Sequence, residues 1–198
     1  MRQVTLDELA VMAANAREAI WDIASQYGRE PKIYLHWTAG HYYQQFEDYH
    51  INIDGDGDIF VSTEDLSEVL SHTWRRNSGA IGITLDCCAG ATTEDLGDEP
   101  PTAKQIEAMA QVIQVVADAL WLTIDMNHVM THGEAADNVD GLNAHEDYGP
   151  QSTVERWDLQ FLGTDESPEY TSDFDDPSTG GNVLRGKAAW YKAQKDAQ

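Results

Sequence analysis

The run AIGITLDCC at residues 80–88 decides the fold. It is apolar almost throughout, rich in isoleucine and free of charge before Asp86, so it reads as a strand buried on both faces at the centre of a sheet. Downstream, Thr102 and Gln105 form a capping box that opens a helix over about 102–122, with the stripe Ile106, Met109, Ile113, Val116 and Leu120. HVMTH (128–132) follows and completes a helix-to-strand unit. Upstream, YHINI (49–53) and DIFVS (58–62) flank a Gly/Asp turn and read as a hairpin. KIYLHWT (32–38) alternates Ile33, Leu35 and Trp37 against Tyr34 and His36. A first helix spans 5–27, opened by the Thr5/Glu8 box and ended by Gly28. The expectation is an α/β fold, a mixed sheet of about five strands flanked by these two helices.

The turn NIDGDGDI invites comparison with a calcium loop. Starting at Asn52, the twelfth position is Thr63, where a bidentate glutamate is required, and strands rather than helices flank the turn. It is read as a hairpin turn.

The chain has 198 residues, 41% of them hydrophobic, with six Trp, eight Tyr and four Phe, enough for one ordered domain. Thirty-five acids against 12 bases give a formal charge of −23, which opposes nucleic-acid binding and anionic lipid surfaces and favours cations. No stretch approaches the roughly 20 apolar residues of a membrane span. Asp7, Glu8, Asn15, Arg17 and Glu18 interrupt every apolar run near the N-terminus, so synthesis in the cytosol without a signal peptide is expected. The two cysteines, Cys87 and Cys88, are neighbours and are read as reduced thiols. A catalytic domain is expected over 1–162, followed by an acidic irregular tail over 163–198 in which 182–195 has the composition of a short docking helix.

Seven histidines are present, and position separates them. His36 and His132 each end a strand and are followed by a glycine turn, and neighbouring strand ends converge at one rim of an α/β sheet. Two imidazoles at one rim suggest a metal. Catalytic zinc needs a third protein ligand and an open position; spacing leaves Asp158, His145, Glu146 and Asp147 as candidates.

The succession LHWTAG (35–40), DYHINIDGDGDI (48–59), SHTWRRNSGAIGITL (71–85), PPTAKQIEAMAQVI (100–113), VMTHGE (129–134) and RWD (156–158) resembles the zinc-dependent N-acetylmuramoyl-L-alanine amidases of the second class, relatives of phage lysis amidases and of peptidoglycan recognition proteins. The resemblance implies one zinc ion held by His36, His132 and Asp158. It implies catalytic assistance from Tyr49, Arg156 and Asp86, with Glu134 a second candidate for proton transfer. Trp37, Thr38, His50, His72 and Asn77 are expected to line the groove for a muramyl peptide. The function implied is cleavage of the amide joining muramic acid to L-alanine, in a monomeric phage or prophage lysis enzyme that reaches the wall through a holin. The rivals are a cytosolic recycling amidase and a non-catalytic peptidoglycan-binding protein.

Overall fold

In the computed structural model, which describes residues 1–142 and 157–198, the chain forms one six-stranded mixed sheet. The strands are β1 (Arg2–Val4), β2 (Lys32–Trp37), β3 (Ile51–Ile53), β4 (Ile59–Val61), β5 (Ala80–Leu85) and β6 (Val129–Thr131), in the order β1-β4-β3-β5-β2-β6. β5 pairs in parallel with β2 and β3, and β2 in parallel with β6. β4 runs antiparallel to β3 and β1. The 80–88 run is thus interior, as its unbroken apolar character requires, and all six residues of β5 are buried. The sixth strand, β1, is a three-residue edge that the sequence reading did not include.

Helix α1 (Leu6–Ser25) opens with the expected Thr5/Glu8 box, and α2 (Ala103–Leu120) with the Thr102/Gln105 box. The register sends Ile33, Leu35, Trp37, Ile81, Ile83, Leu85, Ile51 and Ile53 to one face, where they share a core with Leu9, Ala13 and Ile20 of α1 and Met109, Ile113 and Val116 of α2. The opposite face carries Tyr34, His36, Asn52, Gly82 and Thr84, covered by the 65–79 loop and by α3 (His132–Ala136). Gly82 is required there: a Cβ would lie 2.7 Å from the His72 ring.

The 54–58 turn is the closing turn of the β3–β4 hairpin, with Asp54 Oδ1 accepting from the N–H groups of Asp56 and Asp58. Cys87 and Cys88 are buried free thiols. The expected boundary at residue 162 does not divide the core. Past it, Leu184 and Ala188 of α4 (Gly180–Asp196) join the same hydrophobic cluster as α1 and α2. Lys192 and Lys195 of α4 both reach Asp118 of α2. Among the described residues no helix is long and apolar enough to cross a membrane.

Candidate active site

His36 and His132 reach one point from different elements. His36 is the fifth residue of β2 and belongs to the face opposite the main core. The β6 strand stops at Thr131, so His132 is the first residue of α3 rather than the last of a strand. Thr131 caps that helix through the Glu134 N–H, and Glu134 Oε1 returns a bond from the Thr131 N–H at 2.8 Å. The chain thereby turns sharply enough for the imidazole of His132 to face back over β2.

The two Nδ1 atoms lie 3.1 Å apart, and Asp158 Oδ2 is 3.5 Å from the Nδ1 of His36 and 3.6 Å from that of His132. All three side chains are buried. Three lone-pair donors converging in a dry site repel one another unless a cation or a proton lies between them. Ligands at zinc bond lengths of about 2.0–2.1 Å in a tetrahedron stand about 3.3–3.4 Å apart, and the observed separations bracket that value. The donor set, two imidazoles and a carboxylate, is one that zinc takes in open hydrolytic sites.

The imidazole of His36 is held from behind. Its Nε2 lies 3.3 Å from Thr73 Oγ1, and the same hydroxyl is 2.9 Å from His72 Nδ1. With the His36 proton on Nε2, donated to Thr73, the Nδ1 lone pair is turned toward the other two donors, and the Thr73 hydroxyl passes its own proton toward His72. The ring of Tyr49 lies against His36 with centroids 5.0 Å apart, and His72 flanks it at 5.3 Å. His132 Nε2 is buried and has no hydrogen-bond partner among the described residues.

Asp86 extends β5 by one residue, its N–H donating to Ile53 O at 2.8 Å. Alternation assigns it to the face of Thr84 and hence of His36. Both carboxylate oxygens are buried without a hydrogen-bond partner among the described residues. Burial, helped by the charge of Asp54, pushes its pKa up to about 8. A carboxyl that keeps its proton at neutral pH can donate it.

A scan against protein-family models matches residues 15–150 to the N-acetylmuramoyl-L-alanine amidases, more than half of the chain. The chain belongs to that family. The amidase fold expected from the sequence is therefore the one observed, and its enzyme class is N-acetylmuramoyl-L-alanine amidase, acting on peptidoglycan. No curated protein and no solved structure matches the amidase. The matched stretch of the amidase ends before Asp158, so for the third donor the geometry stands beside the RWD motif and not beside the family match.

Several expected residues of the amidase have other places. Glu134 is not available for proton transfer: besides capping Thr131, it makes a bidentate pair with Arg185 of α4, with both N–O distances 2.7 Å. Trp37 lies on the α1/α2 face, edge-on to Trp157 with centroids 4.9 Å apart, and belongs to the core rather than to a groove. His50 is a structural tie, its Nε2 donating to Glu68 O at 2.6 Å and its Nδ1 accepting from the Gly82 N–H at 3.0 Å. Burial lowers its pKa to about 4, so the ring is neutral. Asn77 Oδ1 accepts the N–H groups of His72 and Thr73, which shapes the loop behind His36. Thr38 is half-buried and accepts the Gly40 N–H. Arg156, His145, Glu146 and Asp147 lie outside the described residues.

Sequence reasoning missed Thr73 and Arg185. It also missed Arg76, which is buried against Asp140, Asn138 and the Tyr34 hydroxyl and so fixes the 138–142 segment to the site face. Thr73 adjoins a histidine already noted, and that adjacency was the one local signal. Two partners of Arg185, Glu134 and Val129, are 51 and 56 residues upstream, with no local pattern to mark them.

Proposed function

We propose that this amidase is zinc-dependent and cleaves the amide between N-acetylmuramic acid and L-alanine, with His36, His132 and Asp158 holding one zinc ion. The convergence of their three donor atoms within 4.8 Å of one another, in a buried site, carries the reading. Zinc bound there would supply Lewis acidity toward the scissile carbonyl and toward the attacking water. The protein's own groups complete the chemistry. Thr73, accepting from the His36 Nε2, favours the tautomer whose Nδ1 would hold the ion. The Tyr49 hydroxyl and the Arg156 guanidinium stabilise the developing oxyanion, and Arg156 acts as fixed charge because it is too basic to release a proton. Asp86, protonated at neutral pH, delivers its proton to the leaving amine and, once ionised, takes up the proton that the attacking water gives up.

The setting we propose is a phage or prophage lysis enzyme, supported by the resemblance of its motifs to phage lysis amidases. The test is a turbidity assay on purified walls. Lysis should stop on complete zinc removal and return when zinc is restored, and Asp158→Ala should lose both metal and activity. Undiminished lysis by the zinc-free protein refutes the metal mechanism. A parent that neither binds zinc nor cleaves the amide is a peptidoglycan-binding protein instead, and unchanged zinc in Asp158→Ala moves the third ligand to 143–149.

A further inference from the structure

Helix α4 carries features that the hydrolytic site does not use. Beside it, against α2 and the 163–177 segment, lies a cavity of about 580 Å³, lined by none of the residues of the metal face. That volume is within the range of small-ligand pockets. Trp190 and Tyr191 line it, their rings edge to face with centroids 5.1 Å apart, and Trp190 is 58% exposed. The polar part of the wall is a short network. Tyr191 Oη donates to Glu107 Oε2 at 2.8 Å, and Lys187 Nζ donates to Glu107 Oε1 at 3.0 Å and stands 3.5 Å from Glu166 Oε1.

Gly186, also in the lining, is the second observation. It sits inside a 17-residue helix, where glycine is weaker than alanine because it surrenders more backbone freedom. Its φ is not positive, and a Cβ built on it meets nothing within 4 Å. Neither backbone conformation nor crowding explains the glycine; a clear floor to the cavity does.

We propose that this cavity binds an uncharged saccharide, a segment of the N-acetylated sugar chain of peptidoglycan, as a contact separate from the hydrolytic site. The flat aromatic faces suit the C–H faces of pyranose rings, which are apolar while the ring edges are polar. The Lys187 ammonium and the carboxylates of Glu107 and Glu166 offer a donor and acceptors to hydroxyl and acetamido groups. One ammonium against two carboxylates leaves the wall net negative, which disfavours anionic polymers and favours the sugar chain whose muramic carboxyls are still amidated and therefore uncharged. The inference rests on peptidoglycan being the substrate; it does not rest on zinc.

The experiment is calorimetric titration of the zinc-depleted full chain with chitotetraose, a soluble tetramer of N-acetylglucosamine. Saturable binding is expected, weakened about tenfold or more by Trp190→Ala and by Gly186→Leu, which fills the floor. Gly186→Ala should melt at a higher temperature than the parent, showing that the glycine is not held for folding. No saturable binding by the parent overturns the proposal, as does parent-like binding by both Trp190→Ala and Gly186→Leu. Because the titration omits zinc, failure of the metal mechanism shows separately, as walls left uncleaved while chitotetraose still binds.

Discussion

Thr73 stands between two imidazoles, and its small hydroxyl sets which nitrogen of His36 keeps a lone pair. Valine has the same shape and cannot accept the Nε2 proton, so Thr73→Val removes an acceptor that favours the Nε2-protonated tautomer of His36. Loss of such an outer partner lowers metal affinity by about 10–100-fold. Competition against a chromophoric chelator reads this directly, and a variant that binds zinc as the parent does would remove Thr73 from the site's design. His36 and His132 were legible in the sequence because each closes a strand-like run just before glycine, at the rim where parallel strands gather ligands. Trp37 was misassigned although the signal was present: alternation along β2 sends the neighbour of His36 to the other face. His50 carried no such signal, since the carbonyl and N–H that hold it are 18 and 32 residues away.

Among the elements, α4 stands where the sequence suggested a short docking helix over 182–195, and Arg185 is the reason it matters. Its guanidinium bonds both oxygens of Glu134, the Val129 carbonyl on the sheet's edge strand β6, and Asn182 Oδ1. Gly181 lets the helix approach: a Cβ there would lie 2.8 Å from the Glu134 carboxylate oxygens. Arg185→Ala leaves a carboxylate buried without its countercharge, a loss that costs about 3–5 kcal/mol. Arg185→Lys keeps the charge but not the fork and should fall between variant and parent. Urea denaturation of the zinc-free protein measures both, and an Arg185→Ala midpoint equal to the parent's would show that the Arg185–Glu134 pair adds nothing to the fold. The helices α1 and α2 were readable because capping boxes and apolar stripes are local. The three-residue β1 is too short to show a period, and α4 is held by contacts distant in sequence.

At the scale of the whole molecule, a net charge of −23 means that most acids repel one another. Asp86 retains its proton in the folded state chiefly because its carboxyl is buried, with the nearby charge of Asp54 adding to the effect. With a folded pKa near 8 against an ordinary value of 3.8, its contribution to stability is intact below about pH 4. Above that, the unfolded chain releases the proton and the folded chain does not, so stability declines until the folded pKa is passed. Asp86→Asn removes this dependence. In zinc-free protein, the stability gained by the variant over the parent should grow from pH 4 to pH 8 and then level off. A difference that does not vary with pH would sink this account of Asp86.

The order in which the polymer leaves the ribosome meets the order β1-β4-β3-β5-β2-β6 in an instructive way. His36 emerges early, yet the strand that sits beside it on the far edge is sixth, and the guanidinium that braces that strand's carbonyl is residue 185 of 198. The site is therefore non-local: its donor atoms come from residues 36, 132 and 158, and the side chain that braces the strand beside them comes from residue 185.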